Sequence, residues 1–179
     1  MKMPHNSVTL LCTNRKDIMQ KSAIQLPNAE FLPHVCELVN QGHKVSIRAK
    51  GNSMRPFLES GRDIAVLSRI DKPKVGDVVL AEIAKGKYVL HRIDKIHADD
   101  ITLRGDGNIK GTEQCKIEDI RAVANEFVRK GKTWRTTCLR WKFYSWLWPR
   151  LLPFRRLLLA LYRLFWLGEI PNRLKIGSK

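Results

Sequence analysis

The chain has 179 residues and a mass of 20.7 kDa, enough for one domain with a buried core, or for one domain and an appendage. Hydrophobic residues make up 44% of it, a share that excludes a disordered chain. Lys and Arg number 33 against 17 Asp and Glu, and this net charge of +16 favours anionic partners. The four cysteines are scattered without a CxxC pair, so we expect free thiols, no metal site and no other cofactor.

Residues 1–26 are predicted to form an N-terminal extension. Their one apolar run, residues 8–12, is interrupted by Thr9. A signal peptide needs about 7–15 apolar residues and a membrane-spanning helix about 20. We therefore expect neither in this segment, and we expect the protein to be cytoplasmic.

Residues 27–133 are predicted to form a mainly β domain with a leading helix. Residues 28–41 have apolar side chains at helical spacing, and Gly42 follows as a C-terminal cap. Short β-type runs follow, separated by Gly, Pro and Asp turns: 45–49, 64–68, 75–83, 88–96, 101–104 and 120–128. This pattern predicts an antiparallel sheet that is curled or barrel-like.

Residues 134–179 form a basic tail that is rich in leucine and aromatic residues. They contain all five tryptophans and a net charge of +9. On a helical wheel, three arginines share one narrow arc and the rest is mostly apolar, which is typical of a helix lying in a membrane interface. The predicted membrane-binding residues are Arg155, Arg156, Arg163, Trp148 and Trp166. A helix packed on the β domain and a single spanning helix are the alternatives.

A first motif surrounds Ser53, in the segment KGNSMRPFL at residues 50–58. Gly51 allows close backbone approach, and Pro56 prevents the segment from continuing as a helix. The serine is therefore expected on a tight, exposed turn. Taken alone, it is an ordinary loop serine.

Two further motifs contain His91 and Asp106. His91 lies in YVLHRI, residues 88–93, where strand alternation places it on the less exposed face. Asp106 lies in RGDGN, residues 104–108, and Asp-Gly is a strong turn signal. Taken alone, the two residues have structural interpretations: a buried histidine and a turn aspartate.

In this order, the motifs resemble those of the signal-peptidase-like serine peptidases, the S24/S26 group. The shared pattern is Ser-Met-x-Pro-x-Leu, Gly-Asp-Val-Val at residues 76–79, a strand with the general base before an arginine, and Gly-Asp-x-Asn. It covers about residues 45–108. Bacterial signal peptidases and phage-repressor-like autoproteases have lysine before that arginine, whereas archaeal and endoplasmic-reticulum signal peptidases have histidine. His91 precedes Arg92, so the chain resembles the histidine type.

The resemblance implies that Ser53 is the nucleophile, that His91 is the general base, and that Asp106 orients the imidazole. A serine hydroxyl is a weak nucleophile that needs a positioned base. Histidine has an intrinsic pKa near 6.5 and is neutral at physiological pH, so it can serve as that base.

Two departures from the family pattern limit what can be carried over. Signal peptidases usually have Ser-Gly-Ser-Met, and Gly51 stands where the first serine would help the oxyanion hole. The hole is then expected to consist of the backbone N–H of Ser53, helped by Asn52. Histidine-type enzymes also have acids a few residues beyond Gly-Asp-x-Asn. Residues 109–112 contain none, which leaves Asp106 alone.

The sequence therefore predicts a serine endopeptidase, peripheral on the inner membrane face, that cleaves an extended peptide or precursor segment. The resemblance suggests small residues near the cleavage site. One alternative is a regulatory relative that binds nucleic acid. It is disfavoured because no helix-turn-helix precedes the β domain and because the tail aromatics sit among leucines. A catalytically inactive relative acting as a membrane-bound scaffold is the other.

Overall fold

The computed structural model describes residues 7–11 and 25–166. Ten strands and three helices lie in these ranges. The strands are β1 (Ser7–Leu11), β2 (Gln25–Pro27), β3 (Val45–Arg48), β4 (Ile64–Ser68), β5 (Val78–Ala84), β6 (Lys87–His97), β7 (Asp100–Arg104), β8 (Glu113–Lys116), β9 (Ile120–Arg129) and β10 (Lys132–Arg135). The helices are α1 (Asn28–Asn40), α2 (Leu139–Arg150) and α3 (Arg155–Trp166), with short 3-10 turns at Ile117–Asp119 and Leu152–Phe154.

All strand pairs are antiparallel, in the order β2-β1-β3-β4-β9-β5-β6-β7-β8, and β10 pairs with β9. Within the described residues the end strands β2 and β8 do not pair with each other, so the sheet is open. The predicted fold class is confirmed: a mainly antiparallel β structure with a leading helix and helices near the C-terminal end. Of the two predicted shapes, a closed barrel is not found among the described strands.

The predicted elements in the middle of the chain are present with small shifts at their ends. The predicted helix is α1, and each of the six predicted β runs corresponds to a strand between β3 and β9. Strands β8 and β10 were not predicted, because EQCK and KTWR are too polar and too short to show an alternating apolar pattern. The structure also adds β1 and β2 in the predicted N-terminal extension, much of which lies outside the described residues.

Two apolar cores lie on opposite faces of the central strands. Val78 and Leu80 of β5 contribute to the larger core, under α1 and the β3–β4 hairpin. Val79 and Ala81, which alternate with them, contribute to the smaller core formed with β6, β7 and β9. Because β5 is buried on both faces, it is a rigid base for β6, its antiparallel neighbour.

The predicted boundary between residues 133 and 134 does not separate two units. It falls inside β10, which pairs with β9, and the following helix packs into the larger core. The ring of Trp141 lies 4.6 Å from that of Phe57 and 4.7 Å from that of Phe127, centroid to centroid. The chain up to Trp166 is therefore part of the folded domain, and removing it from residue 134 onward would open the core.

Helix α3 is amphipathic, as predicted, but the face with Arg155 packs on the protein. Arg155 and Leu159 are buried, and Arg155 donates hydrogen bonds to the backbone oxygens of Asn108 and Trp148 at 3.0 and 3.2 Å. None of the helices in the described part of the chain is long and apolar enough to cross a membrane.

Candidate active site

Ser53 lies on the turn that connects β3 to β4 and is half-buried. Behind it, Met54, Phe57 and Leu58 are buried in the larger core. Gly51 has a φ of +88°, in the left-handed region that favours glycine. The apolar anchors and this glycine fix the turn, so the serine is held in place from both sides.

The Gly-Asp-Gly-Asn turn supports the backbone of Ser53 directly. The N–H of Gly107 donates a hydrogen bond to the carbonyl oxygen of Ser53 at 2.7 Å. A Cβ at Gly105 would lie 2.3 Å from that same oxygen, and one at Gly107 would lie 2.6 Å from the carbonyl oxygen of Asn52. Any side chain at either glycine would displace the serine turn, which explains why this motif requires glycine there.

His91 lies on β6, opposite Val79 of β5, and its side chain is 5% exposed. It lines the same cleft as Ser53, a cavity of about 210 Å³. One wall of the cleft is the β3 end and the serine turn, and the other is the first half of β6. The structure thus brings the predicted nucleophile and the predicted base to one cavity.

The acid on the imidazole is Glu113, which sequence reasoning missed. Its Oε2 lies 2.8 Å from Nδ1 of His91, and its side chain is 27% exposed. With a carboxylate at this distance, Nδ1 carries the proton and donates it, so Nε2 keeps its lone pair for a substrate or nucleophile. Burial lowers the pKa of His91 below 6.5, and the Glu113 carboxylate offsets this only in part. The imidazole is therefore neutral at physiological pH.

Strand register explains why Glu113 reaches His91. Ile93 pairs with Leu103, and Leu103 pairs with Glu113, so these three residues lie on one face of the sheet. His91 is two residues before Ile93 on β6 and faces the same side. Glu113 is also the first acidic residue after Asp106, one position beyond residues 109–112, so extending that window by one residue would have included it.

Asp106 has a different partner from the one predicted. Its two carboxylate oxygens accept hydrogen bonds from Nε and Nη2 of Arg92, both at 2.8 Å. The hydroxyl of Tyr144 donates a further one at 2.9 Å. Since Asp106 and Arg92 are both buried, this is a closed ion pair, and the geometry for orienting the imidazole belongs to Glu113 instead.

Two of the predicted membrane residues are buried as well. The indole N–H of Trp148 donates to the backbone oxygen of Asp106 at 2.9 Å, and Arg155 lies against the same indole. Neither side chain is available to a membrane. Arg156 and Arg163 are exposed, and the side chain of Trp166 lies outside the described residues.

Asn52, the predicted helper of the oxyanion hole, is exposed on the serine turn, and its backbone oxygen accepts a hydrogen bond from the N–H of Arg55 at 3.2 Å. Its role and that of the Ser53 N–H stay predictions. The described part of the chain contains no group of three or more His, Cys, Asp or Glu residues that could hold a metal ion.

Comparison with known protein families gives one match, to the model described as Peptidase S24-like, over residues 12–125. This is more than half of the chain. The chain belongs to the S24-like peptidase family. No curated protein and no solved structure gives a significant match. The S24-like region contains Ser53, His91 and Glu113, whereas α2 and α3 lie beyond it. At family level the protein is thus related to serine peptidases, hydrolases of peptide bonds.

Proposed function

We propose that this S24-like protein is an active serine endopeptidase in which Ser53 is the nucleophile, His91 the general base and Glu113 the residue that orients the base. The observation that carries the proposal is the 2.8 Å contact between Nδ1 of His91 and Glu113, in a histidine that lines one cleft with Ser53. Asp106 is not part of this triad, because its oxygens are taken by Arg92 and Tyr144.

The proposed chemistry follows from the tautomer of the base. Nε2 of His91 takes the proton of the Ser53 hydroxyl as Oγ attacks the substrate carbonyl carbon, and the imidazolium formed is stabilised by Glu113. The negative charge on the carbonyl oxygen is stabilised by the Ser53 N–H, with help from Asn52. Nε2 then gives the proton to the leaving amine, the C–N bond breaks, and water hydrolyses the acyl-enzyme by the same base.

The substrate is proposed to be an extended segment added to the edge of β6. Strand β7 pairs with β6 from Arg92 onward, so none of the described strands pairs with the outer edge of residues 87–91. That edge faces residues 47–51 across the cleft. An extended peptide placed there can form main-chain hydrogen bonds with the edge, next to Ser53.

The size of the cleft favours small residues near the cleavage site. Its volume of about 210 Å³ is below the ~300–1,000 Å³ typical of small-molecule sites. Apolar lining from Leu32, Ile47 and Ala49 favours a short aliphatic side chain over a charged one. A location at the inner membrane face stays a prediction.

The test is labelling of the full chain with a fluorophosphonate, which reacts with activated serines. We expect the wild type to be labelled and S53A to be unlabelled. The matched control is S68A, which removes a hydroxyl at the end of β4, where it contacts Asn125. Equal labelling of S53A and wild type would overturn the proposal. An unlabelled wild type that does not cleave peptides would favour the inactive or regulatory alternative.

A further inference from the structure

Helix α3 has a face that packs on the protein and a face that does not. Arg155 and Leu159 are buried, and the hydroxyl of Tyr162 donates a hydrogen bond to Glu59 at 2.8 Å. Since these contacts fix the rotation of the helix about its axis, they also determine which side chains point away from the domain.

The face that points away carries an exposed apolar stripe. At about 100° per residue, its four members lie within an arc of about 100°. They are Leu157, Leu161, Leu164 and Phe165, with exposures of 60%, 41%, 43% and 77%. Large apolar side chains clustered at this exposure on a folded domain mark an interaction surface.

Arginines border this stripe on one side. Arg156 and Arg163 are seven residues apart, so they lie on the same side of α3, about two turns apart along its axis, and both are exposed. Residues 134–166 contain seven Lys and Arg and no Asp or Glu. A partner of this surface therefore meets apolar groups and positive charge together, with no acid in that segment to repel an anion.

Helix α2 also has a row of exposed apolar side chains next to an arginine. Leu139, Phe143 and Trp146 have the spacing i, i+4, i+7 and are 82%, 62% and 53% exposed. The guanidinium of Arg150 lies over the Trp146 ring, 4.3 Å from its centroid. Both helices of the C-terminal segment thus combine an exposed apolar row with arginine.

We infer that the α3 stripe, with Arg156 and Arg163, is a docking surface for an anionic lipid bilayer. A helix in the membrane interface places its apolar face at the acyl boundary and its arginines on the headgroups, and tryptophan and other aromatic residues favour the same depth. The partner is a membrane rather than an acidic protein, because the stripe is a single convex helix face of leucine and phenylalanine without polar groups that would need paired hydrogen bonds. The surface excludes Arg155 and Trp148, which pack inside the domain.

The contact of α3 with the serine loop gives the docked protein a defined orientation. Tyr162 holds Glu59, which lies six residues after Ser53 on the same loop. A bilayer under α3 therefore keeps the cleft close to the membrane surface. This orientation matters for catalysis only if the proposed function is correct, but binding itself does not depend on it.

The test is flotation of the full chain with two vesicle types, phosphatidylcholine alone and a mixture in which about a third of the lipid is phosphatidylglycerol. We expect the protein to float with the anionic vesicles. L157S/L164S should lower the partition coefficient by more than ten-fold, because both leucines would be buried in lipid. R156Q/R163Q should lower it by about 25-fold on anionic vesicles, since each arginine near the surface contributes about five-fold.

Matched controls use the same substitutions elsewhere. K85Q/K87Q removes two exposed charges in the β5–β6 hairpin, and V75S/I117S replaces two exposed apolar residues outside α2 and α3. Both should bind within two-fold of wild type, and so should S53A, which separates this inference from the catalytic proposal. The inference is overturned if wild type does not float, if the α3 variants bind like wild type, or if ultracentrifugation shows that the stripe joins two copies of the chain and L157S/L164S dissociates them.

Discussion

Two consecutive side chains of β6, those of His91 and Arg92, face opposite sides of the sheet, and each forms a hydrogen bond with a carboxylate. His91 meets Glu113, whose side chain is partly exposed, in a cleft that also contains Ser53. Arg92 pairs with Asp106 in the interior. Its Nη1 also donates to the backbone oxygen of Gly76 at 2.7 Å and to the hydroxyl of Ser145 on α2 at 2.6 Å.

These two pairs differ in what they can do: the His91 pair is placed for catalysis, and the Arg92 pair stabilises the fold. The Arg92 pair is enclosed and bidentate, and Arg92 donates four hydrogen bonds in the interior, so this pair is held away from a substrate. In the His91 pair, Glu113 contacts Nδ1 and leaves Nε2 available among the described residues, and its carboxylate stabilises the charged form of the imidazole. We therefore expect changes on the His91 side to alter rates and changes on the Arg92 side to alter stability.

The largest effect is expected from H91A. Without the base, the Ser53 hydroxyl keeps its proton, and the rate of peptide cleavage should fall on the order of 10⁴–10⁶-fold. Single-turnover cleavage and the rate of fluorophosphonate labelling both measure this. H97A is the control, since His97 is an exposed histidine of the same strand. Wild-type labelling by H91A would mean that the histidine is structural.

On the other face, D106N should act on folding. It leaves the buried guanidinium of Arg92 without its counter-charge, and loss of one partner of a buried ion pair costs about 3–5 kcal/mol in the free energy of unfolding. Urea denaturation of the full chain measures it. D94N is the matched control, because Asp94 pairs with Arg104 at 3.0 Å and both side chains are partly exposed, so a smaller loss is expected.

If D106N is as stable as D94N but inactive, the assignment of stability to the Arg92 pair and of catalysis to the His91 pair is wrong. That result would return Asp106 to the orienting role that the sequence suggested, and it would remove Glu113 from the triad.

A third and smaller effect is expected from E113Q. The amide oxygen can still accept the Nδ1 proton, so the imidazole keeps its orientation but loses the stabilising charge. We expect kcat to fall about 10²-fold, equal to about 2.7 kcal/mol. E118Q, an exposed glutamate before β9, is the control and should have wild-type activity.

E113Q should also change the pH dependence of activity, and the effect of Glu113 on the pKa of His91 determines the direction of that change. The base must be neutral, and burial lowers the pKa of His91, so wild-type activity should be lost only as pH falls below 6.5. The Glu113 carboxylate raises the pKa of His91 against that burial. E113Q should therefore move the acid limb of kcat/KM to still lower pH. An acid limb that stays in place would show that Glu113 does not act on the base.

The sequence predicted the strands well where apolar residues are dense. Strand β4 alternates buried and half-buried residues, β5 and β9 contain runs of buried apolar residues, and the ends of all three were predicted to within a few residues. Strand β8 contains a single buried apolar side chain, Cys115, so periodicity could not reveal it. Its place is set by pairing with β7, which is a tertiary contact.

The same limit explains which site residues were found. Ser53 and His91 lie in local motifs, and the cleft contains both. Asp106 also lies in a motif, but the motif serves the Gly105 and Gly107 contacts with the serine turn rather than the imidazole. Choosing between Asp106 and Glu113 requires knowing which face of the sheet each reaches.

The smallest effect is expected from Y144F, which tests whether α2 stabilises the Arg92 side. The lost hydroxyl donates to Asp106 at 2.9 Å. A hydrogen bond to a charged group contributes about 1.5–3 kcal/mol, and at the lower value the melting temperature of a domain this size should fall by about 3–6 °C, with kcat unchanged. Because Tyr144 and Arg92 share one carboxylate, the effect of Y144F should shrink when it is measured in D106N rather than in wild type. Calorimetry of the four chains of this double-mutant cycle measures the coupling. Additive losses would mean that the Tyr144 hydroxyl stabilises the domain independently of the Asp106 carboxylate. The C-terminal helices would then support the core through ring contacts such as those of Tyr144 with Phe57 and Trp148, without supporting the ion pair.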